Sequence, residues 1–129
     1  MPAKRILCLE DHEDTCLMLD ALLSTQDFEV VSAPDAEAAL RLIKEEEFSL
    51  YVVDSHLPGM SGLEFCREVR QTDAETPLLI YSADAYEVDR AAGLGAGADA
   101  YLAKPSIDEI VPTVMRLLGE AATAKDSGA

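Results

Sequence analysis

Short, nearly continuous apolar runs alternate along this chain with longer stretches in which apolar residues recur every three or four positions. The runs predict strands over residues 5–9, 29–32, 50–54, 78–81 and 100–103. Three of them, around Ile6-Leu7, Leu50-Tyr51-Val52-Val53 and Leu78-Leu79-Ile80, are apolar on both alternating faces. Strands read that way when helices cover both sides of a parallel sheet. The run Phe28-Glu29-Val30-Val31-Ser32 is more polar, as suits an edge.

The 3.6-residue pattern predicts five helices between and after these strands. The first covers residues 13–25, with Leu19, Leu22 and Leu23 on one face. The second covers 36–46, with Asp35 as its N-cap and Ala39, Leu40 and Ile43 inward. The third covers 62–71, with Leu63, Cys66 and Val69 spaced for one face. The fourth, 86–94, is interrupted by Gly93 and followed by Gly95 and Gly97. The last follows Ser106-Ile107-Asp108-Glu109, which reads as a capping box, with Pro112 expected to start the helix late or kink it. It should end near Gly119, leaving residues 120–129 as a flexible tail or the start of a linker. Residues 1–119 then form one domain.

Alternating strands and helices joined by short loops imply an α/β fold, a doubly wound five-stranded parallel sheet with helices on both faces. A chain of 129 residues with 49% hydrophobic residues is long enough for one core. Aromatics are few and Trp is absent, so that core must be aliphatic. The net charge of −15, from 25 acids against 10 bases, repels phosphate backbones and anionic membranes. Lys4-Arg5 precedes only a short apolar run, so no signal peptide is expected, and no stretch approaches membrane-spanning length. Cys8, Cys16 and Cys66 lack metal or disulfide spacing and read as buried, reduced thiols of a cytoplasmic protein.

In doubly wound sheets the site lies beyond the carboxyl ends of the strands. Glu10-Asp11, Asp54, Ser82 and Lys104 all fall at or just past such ends. Asp54 closes an apolar run, where an unpaired carboxylate is costly to bury. It could act as a nucleophile toward a phosphoryl group, or serve as a turn residue before Pro58-Gly59. Glu10 and Asp11 alone would suit helix capping. With Asp54 they form an oxygen donor set for Mg²⁺, which takes near-octahedral oxygens at about 2.0–2.1 Å. Lys104, made extended by Pro105, could pair with Asp54 and then with a phosphoryl oxygen. Ser82 offers a hydroxyl there. Tyr81 and Tyr86 read equally as packing or partner contacts, and His12 lacks an evident partner.

Together Glu10-Asp11, Asp54 with Leu57-Pro58-Gly59-Met60-Ser61-Gly62, Ser82-Ala83 and Tyr101-Leu102-Ala103-Lys104-Pro105 resemble the receiver domain of bacterial two-component response regulators. The resemblance spans about residues 4–119. It implies a flavodoxin-like fold with strand order 2-1-3-4-5. It further implies that Asp54 is the phosphoacceptor for a sensor histidine kinase or histidine phosphotransfer protein. Asp11, Asp54 and the backbone carbonyl of His56 would bind Mg²⁺ or Mn²⁺ directly, with Glu10 acting through water. Ser82 and Lys104 would hold phosphoryl oxygens, and Tyr101 would turn inward as Ser82 moves toward the phosphate. The changed surface, the fourth helix, fifth strand and fifth helix, would address a downstream effector or a fused output domain. The resemblance also implies that His56 and Asp84 would tune phosphate lifetime, here by controlling access of the attacking water.

Such a protein is a phosphoacceptor assisting its own chemistry rather than an enzyme on other substrates. Three rivals are weaker. A phosphatase of the haloacid-dehalogenase type needs a second aspartate where this chain has His56. A flavin binder needs a Ser/Thr/Gly-rich loop where it has Glu10-Asp11-His12-Glu13. A pseudo-receiver that signals by binding alone would usually lack one of the acids or the lysine, and all are present.

Overall fold

The computed structural model describes residues 4–127, and beyond Gly119 only the backbone. Five parallel strands, β1 (Arg5–Leu9), β2 (Glu29–Ala33), β3 (Leu50–Val53), β4 (Leu78–Ser82) and β5 (Ala100–Ala103), form one sheet in the order β2-β1-β3-β4-β5. They alternate with helices α1 (Glu13–Ser24), α2 (Ala36–Glu45), α3 (Gly62–Arg70), α4 (Glu87–Gly95) and α5 (Ile107–Ser127). The expected doubly wound α/β sheet is therefore the fold.

The continuous apolar strands are central for the reason their sequence suggests. Every residue of β3 and β4 is buried, whereas β2 is largely half-exposed at its edge. Alternate side chains feed two cores. One holds Leu7, Leu9, Tyr51, Val53, Phe65, Cys66, Leu78 and Ile80, and the other Ile6, Cys8, Leu19, Leu23, Leu50, Val52, Leu79 and Ile110. Burying a side chain of this size is worth about 1.5–3 kcal/mol, so these layers fix the strand register. That register pairs Leu9 with Val53, Val53 with Ile80 and Ser82 with Ala103. It brings the carboxyl ends of β1, β3, β4 and β5 to one edge.

Local signals explain most boundaries. Asp35 caps α2 by accepting the Ala38 N–H at 2.8 Å. Ser61 does the same for α3 from Glu64 N–H at 3.2 Å. Gly59 takes the left-handed backbone (φ 76°) that the Pro58-Gly59 turn needs.

The last helix departs from expectation three ways. Ser106 has φ 30° rather than extended backbone, and Glu109 N–H bonds to its carbonyl, so the capping box is not formed. The helix starts at Ile107 and includes Pro112 instead of starting after it. It also continues as helical backbone through Ser127, past Gly119; Ala121, Ala122 and Ala124 are strong helix formers. Residues 128 and 129 of the expected tail lie outside the described residues. Cys16 is half-buried rather than buried, and all three cysteines are free. Burial pushes the Cys66 thiol up to about 11. Among the described residues no helix is long and apolar enough to cross a membrane.

Candidate functional site

Parallel pairing carries the strand-end residues to one place. Asp54 N–H bonds to Leu9 carbonyl at 2.9 Å, Glu10 N–H to Ala33 carbonyl at 3.0 Å, and Lys104 N–H to Ser82 carbonyl at 2.6 Å. The ladder thus continues one residue beyond each strand and holds the backbones of the acids and the lysine rigidly. Asp54 and Glu10 are each only 3% exposed, and Ser82 is fully buried.

Lys104 Nζ lies 2.7 Å from Glu10 Oε1 and 3.5 Å from Asp54 Oδ2. It pairs with Asp54, as the sequence suggested, and more closely with Glu10. Asp54 Oδ1 accepts the His56 backbone N–H at 3.1 Å. Burial works against the Glu10 carboxylate, but bonds from Lys104, from the His12 amide and from neighbouring side chains outweigh it and hold its pKa below normal. Burial likewise raises Asp54; the His56 amide and Lys104 oppose it, but the adjacent Glu10 adds to it, and the pKa stays above normal. Burial alone would lower Lys104, yet the two carboxylates raise it. One ammonium thus compensates Glu10 well and Asp54 incompletely.

Glu10, Asp11, His12 and Asp54 each offer a ligand atom within 4.8 Å of the others. Two of these carboxylates are buried with a single lysine between them, and the third, Asp11, stands at their mouth. That oxygen-rich donor set and its charge excess fit a hard divalent cation. His12 is the residue the sequence misjudged. Its Nδ1 meets Glu10 Oε2 at 3.1 Å and Asp11 Oδ1 at 3.3 Å, and its amide donates to Glu10 Oε2 at 3.1 Å. The hydrogen bond to Glu10, followed by the Asp11 charge, raises its pKa.

Ser82 does not bond Asp54. Its hydroxyl pairs closely with Ser55 Oγ, on the residue after Asp54, and accepts the Asp84 N–H at 3.1 Å. His56 Nε2 and Asp84 Oδ2 meet at 2.6 Å, joining the loops after β3 and β4. The Tyr101 ring is buried, and its hydroxyl donates to Asp84 carbonyl at 2.7 Å, so the ring points inward. Gly93 explains the weak helical signal of α4. A Cβ there would come within 2.9 Å of both Ile80 and Tyr101, so the missing side chain lets α4 close on β5. Gly62 serves Asp54 similarly: a Cβ would fall 2.1 Å from the Asp54 carbonyl oxygen. Tyr81 is buried, donates to Pro105 carbonyl and lies under Lys104, whose Nζ is 5.6 Å from the ring centre. It packs, while Tyr86 is exposed.

A family model described as the response regulator receiver domain matches residues 6–115. The chain belongs to that family. This receiver is 36% identical over 102 residues to PhoP, the alkaline phosphatase synthesis transcriptional regulatory protein of Bacillus subtilis, covering 79% of this chain and 42% of that protein. The chain spans about half the length of the curated relatives it matches. In structure the receiver is similar to the receiver domain of Francisella response regulator 1452, with a TM-score of 0.85 and 27% identity over 91% of this chain and 98% of that one. It is also similar to the Thermotoga maritima response regulator TrrA, solved in complex with Mg²⁺-BeF, with a TM-score of 0.80 and 29% identity over 88% and 98% of the two chains.

Proposed function

We propose that this receiver accepts a phosphoryl group on Asp54 from a phosphohistidine of a partner kinase or phosphotransfer protein, in a reaction dependent on Mg²⁺ or Mn²⁺. The observation that carries it is a carboxylate 3% exposed at a strand end, 3.5 Å from one ammonium and beside two further acids. An Asp54 oxygen attacks phosphorus, the phosphorus–nitrogen bond breaks, and the donor ring nitrogen keeps the electron pair. Glu10, Asp11 and Asp54, with the His56 carbonyl, would hold the cation, which supplies positive charge to the transferring group. The TrrA complex with Mg²⁺-BeF supports that reading by likeness.

Lys104 is placed to follow charge from the carboxylates onto a phosphoryl oxygen. A phosphoryl group on Asp54 would offer the Ser82 hydroxyl a stronger acceptor than Ser55. Because Asp84 N–H already bonds Ser82, that shift moves the loop whose carbonyl holds Tyr101. The surface of α4, β5 and α5 is then biased between two arrangements by one added dianion. The His56–Asp84 pair bridges the loops beside Asp54, and replacing both by small neutral residues changes the phosphate lifetime.

The receiver on this reading stores a signal, works in the cytoplasm and does not turn over external substrates. It passes the state to an effector protein or a fused output domain, and its −15 charge argues against its own contact with nucleic acid. Incubation with Mg²⁺ and acetyl phosphate, followed by intact mass, tests it. One phosphoryl addition is expected, absent in Asp54→Asn and in excess chelator. No addition from acetyl phosphate or from any phosphohistidine donor would leave a module that signals by binding alone.

A further inference from the structure

An all-oxygen cation site has no use for His12, yet its ring is turned into the acids. The Nδ1 atom lies 3.1 Å from Glu10 Oε2, 3.3 Å from Asp11 Oδ1 and 4.0 Å from Asp54 Oδ2. One ring N–H satisfies one carboxylate. A nitrogen facing three carboxylates is arranged as a further donor about a shared centre. Donors bound at about 2.1 Å lie about 3 Å apart in adjacent octahedral positions and about 4.2 Å apart in opposite ones. The three separations correspond to two adjacent positions and one nearly opposite.

The contrast with His56 is informative. That ring makes one short contact, to Asp84, and reaches none of the three acids. His12 is held by its own backbone, since it is the N-cap position of α1 and its amide bonds Glu10. Its side chain makes no capping bond to α1 and is 66% exposed, so nothing in packing or helix capping requires an imidazole there.

Mg²⁺ gains little by exchanging a water oxygen for imidazole, whereas nitrogen-accepting first-row ions gain much, and more from Mn²⁺ toward Co²⁺ and Ni²⁺. We propose that His12 supplies an imidazole nitrogen to the cation held by Glu10, Asp11 and Asp54, making this receiver select first-row transition ions such as Co²⁺ over Mg²⁺. The inference rests on the reading that these acids hold a divalent cation, and it goes further by naming the ligand and the class of ion.

Calorimetric titration of the whole chain with Co²⁺ alone and Mg²⁺ alone tests it, in wild type, His12→Ala and Asp11→Asn. Losing a partner in the outer shell of a metal site already costs about 10–100-fold, so His12→Ala should weaken Co²⁺ at least about tenfold and leave Mg²⁺ within about twofold. Asp11→Asn should weaken both ions, which identifies the titrated site. Proton NMR of the Co²⁺-loaded wild type should show a strongly shifted, exchangeable imidazole N–H resonance that His12→Ala lacks. Unchanged Co²⁺ affinity in His12→Ala overturns the inference, as does an equal loss for both ions. Wild type that binds Co²⁺ but not Mg²⁺, with His12→Ala binding neither, supports the His12 ligand while contradicting Mg²⁺ as the working ion. Binding of neither ion by wild type overturns the cation-dependent reading as well.

Discussion

The two ends of one sheet carry polar clusters of opposite character. At the amino ends of β4 and β5, the Arg70 guanidinium donates to the carbonyls of Gly97 (2.9 Å), Asp73 (3.0 Å) and Thr76 (2.8 Å) and to the Asp99 carboxylate (3.0 Å). Asp99 also accepts the Leu78 N–H at 2.9 Å, and Tyr51 hydroxyl donates to Asp73 at 3.0 Å. Each donor there has its acceptor. At the carboxyl ends, Glu10 and Asp54 share one lysine, Asp11 meets the His12 ring, and burial leaves the Asp54 pKa raised. Neither cluster leaves a buried polar side-chain atom unbonded among the described residues. What separates them is charge, not hydrogen bonding. A network whose two acids, Asp73 and Asp99, stand partly or fully in solvent locks loops together, while one with surplus buried acid carries charge that a cation would compensate.

That difference can be broken most completely by Asp54→Asn, which should abolish phosphoryl addition from acetyl phosphate by intact mass while the chain stays folded. Arg70→Ala should do the reverse. It removes the guanidinium from three carbonyls and leaves Asp99 with only the Leu78 N–H, so chemical denaturation should show a loss of about 3 kcal/mol, with phosphoryl addition retained under native conditions. Cation binding should act only at the acidic end. Mg²⁺ at about 100 times its dissociation constant should stabilise the wild type by about 2.7 kcal/mol and Asp54→Asn much less, measured by thermal unfolding.

The pH dependence sharpens the same contrast. Asp54 has a raised pKa when folded, so the native state holds its proton more tightly than the unfolded chain. Its contribution to stability is therefore favourable at low pH and is lost as pH rises through the interval above the ordinary value of about 3.9. Without added cation, Asp54→Asn should become the more stable protein as pH climbs through that interval, with the two converging below it. The smallest change belongs to neither end. Asp35→Ala removes only the α2 cap and should cost about 1 kcal/mol in denaturant titrations, with phosphoryl addition unchanged.

Much of this was legible in the chain. The runs at Ile6, Leu50 and Leu78 gave strands on both sides of which helices must pack, and Asp35 announced the start of α2. Glu10, Asp11, Asp54, Ser82 and Lys104 were legible because each follows an apolar run, and parallel strands end together. Other features were not. Ser106 has the residue type of a cap but a backbone that cannot use it. Gly93 weakens a helical pattern for a reason visible only in the Tyr101 ring against it. The partners of His12, Ser55 and Tyr81 depend on side-chain directions that spacing along a chain does not encode.

The sequence by itself determined the architecture and the membership of the acidic edge, because burial pattern and strand ends are properties of local residue order. Only the tertiary structure decided how charge is shared there: that Lys104 reaches Glu10 before Asp54, that Ser82 waits on Ser55, and that His12 turns toward the acids. The physical reason is range. Hydrophobic periodicity acts over a few residues, whereas contacts between groups 94 and 50 residues apart, Lys104 with Glu10 and Asp54, are settled by ångström differences in how strands and loops converge.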